Sequence, residues 1–147
     1  MTLRSIVKKY ISSLNYKNLI LISICLFLIL FMAIQILVME YARDQGVFST
    51  TADIILKGGI PYKDAWDIKP PGIFYIYTLA EILFGDNMSA IRFIEIPSLF
   101  SLIAVFILLS IRYMDNWRTG LIAGTFIIIT IVEVGFWHTA QAETFGG

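Results

Sequence analysis

The chain has 147 residues, 58% of them hydrophobic, and its 11 basic and 11 acidic side chains cancel to a net charge of zero. Charged residues make up only 15% and the mean hydropathy is +0.79, against roughly 25% charge in soluble globular domains, so too few polar side chains remain to cover a water-exposed surface. This composition excludes a disordered chain, argues against a soluble globule, and lacks the basic surface that nucleic-acid binding needs. The lone cysteine, Cys25, allows no intrachain disulfide, and with His138 as the single histidine a Cys/His zinc site is excluded.

The first eighteen residues carry Arg4, Lys8, Lys9 and Lys17 and no acid, and residues 19–39 then run uncharged, with Gln35 as the only strongly polar member. Twenty-one helical residues rise roughly 30 Å, the thickness of the bilayer hydrocarbon. A cleaved signal peptide is the competing reading, but no small-x-small site closes the run. The basic flank puts residues 1–18 in the cytoplasm, makes 19–40 the first span and sends 41–88 to the outer face.

Within that outer loop, Val47, Thr51, Ile54 and Ile55 recur at helical spacing, which predicts a short amphipathic helix over 46–57 ended by Gly58-Gly59. Pro70-Pro71 open a second helix over 72–84, too short at about 20 Å to cross, so both helices are expected in the interface. A second span is expected over 89–112. The loop 113–118, bracketed by Arg112 and Arg118, is cytoplasmic by its positive charge, and a third span over 119–138 returns residues 139–147 to the outer side. The expectation is an all-α, polytopic helical membrane protein with three transmembrane helices and two interfacial ones.

Three groups of residues carry possible chemistry. Arg43 and Asp44, with Gln45, sit where the first span leaves the hydrocarbon. A carboxylate at that depth is partly desolvated and so a better proton acceptor, although an Arg–Asp pair can also merely anchor a helix end. Next, Tyr62, Lys63, Asp64, Trp66, Asp67 and Lys69 crowd a proline-bounded loop. An aromatic belt with snorkelling lysines accounts for that composition, but the double proline also fixes where the Lys69 ammonium points. Last, Glu133 falls inside an apolar run, where acids default to function, followed by His138 and Glu143. A lone interfacial histidine is more often a surface residue than a ligand.

The stretch RDQGVFSTTADIILKGGIPYKDAWDIKPPGIFYIYTLAEILFG, residues 43–85, resembles the polytopic glycosyltransferases of the GT-C fold, in particular the glycosyltransferase family 39 branch of protein O-mannosyltransferases and aminoarabinose transferases. The resemblance lies in an ordered set: an acid after the first span, Gly58-x-x-Pro61-Tyr62-x-Asp64, Lys69-Pro70-Pro71, Phe84-Gly85, Ala90-Ile91-Arg92 and Ala142-Glu143. It implies that Asp44 and Glu143 are catalytic acids of the outer face, and that Lys69, with Arg43, approaches the phosphate of a polyprenyl-linked donor. Gln45, Tyr62, Asp64, Asp67, Glu133 and His138 are implied as supporting residues. The family often has Glu where this chain has Gln45, which puts a metal or base role there in doubt. Family members carry many more spans, so the chain is expected to be the amino-terminal part of such a fold, inactive in isolation.

The expected function is therefore transfer of a sugar from a polyprenyl-phosphate donor to a lipid, glycan or protein hydroxyl, in an inner or plasma membrane with the amino terminus cytoplasmic. Membrane lipids are the expected surroundings, nucleic acid is not an expected partner, and a divalent metal ion is the one cofactor considered. A non-enzymatic membrane subunit or small transporter, with Glu133 and Asp44 lining a path, is the alternative. A lipid-binding accessory protein that keeps the phosphate site without the base is a third.

Overall fold

The computed structural model describes residues 15–135 and 139–145. Among them are five α-helices, α1 (Tyr16–Val38), α2 (Arg43–Leu56), α3 (Pro71–Phe84), α4 (Arg92–Met114) and α5 (Trp117–Glu133), then a 3-10 turn, Ala142–Phe145, and no β-strand beyond one isolated bridge between Pro61 and Ala65. The architecture is all-helical.

Helices α1 and α4, at 23 residues each, are long and apolar enough to cross a membrane. Only 22% of the most apolar window of either is buried within the protein, which is not how the core helix of a soluble domain behaves. Along α1 the buried residues Asn18, Cys25, Ile29, Met32 and Ile36 form one narrow stripe, while Phe27, Leu30, Phe31 and Ile34 are exposed on the remaining faces. A helix that is apolar all round requires an apolar surrounding. The expected third span is represented by α5, whose 17 residues rise about 25 Å, so among the described residues two helices, not three, have the length and apolarity to cross.

Local chemistry explains the helix ends. The Asn15 side chain accepts the amide of Asn18 at 3.0 Å and starts α1. Helix α2 begins at Arg43, earlier than the 46 expected from periodicity, because the Gln45 side chain reaches back to accept the Ala42 amide at 3.1 Å. Arg43 and Asp44 therefore lie in its first turn. Pro71 occupies the first position of α3, where its missing N–H costs nothing, and Gly85, at φ +86, stops it. Asn116 caps α5 by accepting the amide of Arg118 at 3.1 Å.

Two cores result. Ile29, Met32 and Ile36 of α1 pack with Leu99 and Ile103 of α4 and with Ile128 and Val132 of α5. Phe48, Ala52, Ile73, Phe74, Tyr77 and Ala80 join α2 to α3, closed by Ala90, Ile91, Ala140 and Ala142. Helix α3 is apolar on both faces: its covered face carries Thr78 and Glu81 beside Ile73, Phe74, Tyr77 and Ala80, while Tyr75, Leu79, Ile82 and Leu83 are exposed.

Close approach of α4 and α5 depends on glycine. A Cβ at Gly120 would collide with the Phe106 carbonyl and stand 2.6 Å from Ile107 Cα, and one at Gly124 would stand 3.1 Å from Ile103 Cα. Small residues four apart let two apolar helices bring their backbones together. Gly120→Ala is accordingly expected to destabilise the protein by about 1–3 kcal/mol through overpacking, although alanine is the better helix former. Gly46→Ala, with nothing within 4 Å of the new methyl group, is the matched control and should be neutral or stabilising. Denaturant unfolding in detergent micelles reads both; loss of the contrast would mean that α4 and α5 do not pack through Gly120.

Candidate functional site

A groove of about 410 Å³ opens between the start of α2 and the connector that leads into α3. Arg43, Asp44 and Val47 line it from α2, and Trp66, Asp67, Ile68 and Lys69 from the connector. Four charged residues singled out in the sequence thus line one groove: Arg43, Asp44, Asp67 and Lys69. The lining divides into two cations, two carboxylates and an apolar remainder, a set that suits an amphiphilic anion carrying hydroxyl groups.

The connector is held back against α2 by its own hydrogen bonds. Gly58, at φ +88, turns the chain out of α2, and at Gly59 a Cβ would run into the Ile54 side chain. The Asp64 carboxylate accepts the Ile60 amide at 2.8 Å, and the Tyr62 amide donates to the Ala65 carbonyl at 2.7 Å. The Tyr62 hydroxyl donates to the Lys69 carbonyl at 2.6 Å, and its ring stands edge-on to Phe74 with centroids 5.9 Å apart. Oδ1 of Asp67 accepts the amides of Ile68, at 2.6 Å, and Lys69, at 3.2 Å. Tyr62 and Asp64 therefore shape the connector rather than line the groove, and Asp67 does both.

Glu133 is exposed at the end of α5 and is not in the groove. His138 lies outside the described residues. Glu143 belongs to the 3-10 turn, and its side chain lies outside what is described. Among the described residues no group of three or more His, Cys, Asp or Glu side chains is placed to hold a metal ion. The carboxylates of the groove are Asp44 and Asp67.

Gln45 faces away from the groove into a buried polar knot that sequence reasoning missed. Arg92 and Glu95, both fully buried, pair at 2.8 Å one turn apart at the head of α4. A second guanidinium nitrogen of Arg92 donates to Gln45 Oε1 at 3.2 Å and to the Met39 carbonyl at 3.4 Å. Gln45 Nε2 donates to the Thr139 carbonyl at 2.6 Å, and the Ala140 amide donates to Glu95 Oε1 at 2.5 Å. The Tyr77 hydroxyl donates to the Ala140 carbonyl at 3.0 Å. The knot ties together the end of α1, the start of α2, α3, the head of α4 and residues 139–140. It also explains the amide at position 45. One arginine is already matched by one glutamate, and a second buried carboxylate would be left uncompensated. The available signal was an Arg and a Glu three residues apart at the mouth of an apolar run.

A second missed group joins α2 to α3. The Ser49 hydroxyl donates to Glu81 Oε1 at 2.8 Å, and Glu81 Oε2 is buried without a partner. Burial, reinforced by the negative charges of Asp86 and Asp53 against the opposing effects of Ser49 and Lys57, holds the Glu81 carboxyl above its ordinary value of 4.5. A folded state that binds this proton more tightly than the unfolded chain is most stable below the ordinary value and loses that advantage as pH rises above it. Stability is therefore expected to decline as pH rises from about 4.5, and Glu81→Gln should flatten the slope. Unfolding midpoints taken across pH would show it; an unchanged slope in the variant would assign the effect to another group.

No protein-family model, characterised protein or solved structure matches this chain.

Proposed function

We propose that the chain is the amino-terminal part of a GT-C-type membrane glycosyltransferase, and that the groove between α2 and the connector receives a polyprenyl-phosphate sugar on the extracytoplasmic face. The observation that carries the reading is the shared groove of Arg43, Asp44 and Lys69. Two cations and a carboxylate on one open surface match a reaction that must stabilise a departing phosphate and take up a proton.

In this reading α1, α4 and α5 are three spans, while α2 and α3 lie in the outer interface. The exposed Tyr75, Leu79, Ile82 and Leu83 support that placement of α3, because they would meet acyl chains while Glu81 stays covered. The transfer step balances simply. The acceptor oxygen bonds to the anomeric carbon, the bond from that carbon to the lipid phosphate breaks with its electron pair, and the acceptor proton passes to Asp44. Arg43 and Lys69 stabilise the charge released on the phosphate. Glu143 is the second acid of the outer face; Gln45 reaches the Thr139 carbonyl, which brings that segment beside the start of α2.

The test is transfer of radiolabelled sugar from polyprenyl phosphate by the complete gene product in membranes. Transfer that depends on Asp44 and Lys69 supports the reading; wild-type transfer by both Asp44→Asn and Lys69→Met would remove the groove from the chemistry.

A further inference from the structure

The connector contains an inversion of polarity that the transfer reading leaves unused. Trp66 and Ile68 border the groove yet are 77% and 82% exposed, while Asp67 between them is partly covered, its Oδ1 accepting the amides of Ile68 and Lys69. Water favours the opposite arrangement, with the carboxylate out and the large apolar side chains in. The segment is held in this posture. Tyr62 sits at φ +68, a region an aromatic residue enters only when its surroundings impose it, and its hydroxyl and amide tie Lys69 to Ala65. Ile60, 55% exposed, and the exposed Lys63 border the same surface.

We propose that residues 60–68 form a membrane-docking wedge whose Trp66 and Ile68 side chains enter the outer leaflet beside the groove. Three observations select lipid over a protein partner. The chain leaves large apolar faces of α1, α3 and α4 uncovered, so its surroundings are apolar, as the exposed pair is. Indole suits the headgroup boundary, with its ring among the upper acyl carbons and its N–H in the wet layer. The neighbouring Lys63 supplies a cation for headgroup phosphate. Docked in this way, the wedge fixes the depth of the Arg43–Lys69 groove at the phosphate level. The inference rests on the chain lying in a bilayer and not on any transfer activity.

The experiment uses the full chain in phosphatidylglycerol/phosphatidylcholine vesicles. With Trp117→Phe and Trp137→Phe, Trp66 is the only indole, and lipids brominated at successive acyl positions report its depth. The expected result is blue-shifted emission, quenched most by the shallowest bromines, which places the ring about 5–10 Å below the headgroup boundary. A second measurement keeps every tryptophan: a nitroxide on Ile68→Cys in a Cys25→Ser background should relax more with oxygen than with a water-soluble nickel chelate. The same label on Ile24→Cys, on an exposed face of α1, reports whether the chain is in the bilayer at all. Lipid contact at 24 with aqueous contact at 66 and 68 overturns the wedge alone; aqueous contact at all three overturns the membrane reading on which it rests. Protection of Trp66 from both lipid and aqueous quenchers would bury it against protein and also overturn the wedge.

Discussion

Arg92→Met is expected to cost about 3–5 kcal/mol of stability, the largest loss from any single side chain here, because it leaves the Glu95 carboxylate buried without its counter-charge. Both partners are fully covered, so the abandoned acid is left without solvent. The damage extends past the pair. Gln45 loses a donor at 3.2 Å and Met39 one at 3.4 Å, so the ends of α1 and α2 come loose from α4. The double variant Arg92→Met/Glu95→Leu should recover much of the loss, since replacing both charges with apolar groups of similar volume removes the uncompensated ion. Recovery will be incomplete because the Ala140 amide then lacks its acceptor. Denaturant unfolding in micelles measures all of these. A single variant costing under about 1 kcal/mol would mean that the pair is solvated, as exposed ion pairs are.

Asp44→Asn in the complete gene product is expected to lower transfer by roughly 10²–10⁴-fold, the range for removal of a positioned general base. The asparagine keeps the shape of the side chain and its place in the first turn of α2, so folding and donor binding should persist. Lys69→Met should act on the other half of the reaction. A lost cation at the leaving phosphate costs about 10²–10³-fold in turnover, and that loss should shrink with donors whose leaving group is less basic, a dependence Asp44→Asn should not share. Equal sensitivity of both variants to the leaving group would undo this division of roles.

The elements were largely legible in the chain because they follow from short-range chemistry. Uncharged runs with few breakers become α1 and α4 wherever they are placed, and Gly58-Gly59 and Pro70-Pro71 delimit α2 and α3 by backbone geometry alone. Helix α2 starts earlier than its apolar periodicity indicates, because Gly46 weakens the helical pattern while Gln45, which accepts the Ala42 amide, fixes the start. The helical ends of α4 and α5, set by Asp115 at φ +50 and by Asn116, were placed only approximately.

The site divides differently. Asp44, Arg43, Asp67 and Lys69 could be picked out as residue types at a membrane boundary, but nothing in their spacing says that a connector running from Gly58 to Pro70 doubles back on the first turn of α2. That return depends on one tyrosine, whose hydroxyl reaches a carbonyl seven residues away. The Arg92 knot was less accessible still. Its bonds join positions 45, 47 and 94 residues apart, and a buried charge finds its partners through packing, not through periodicity. Hydrophobic pattern and chain stiffness act over a few residues, so the sequence sufficed for an all-helical, apolar chain with few charges inside its apolar runs. Long-range pairing of polar groups costs loop entropy and desolvation that only the assembled cores offset. Folding was therefore needed to select which of those charges face the groove and which lock the helices together.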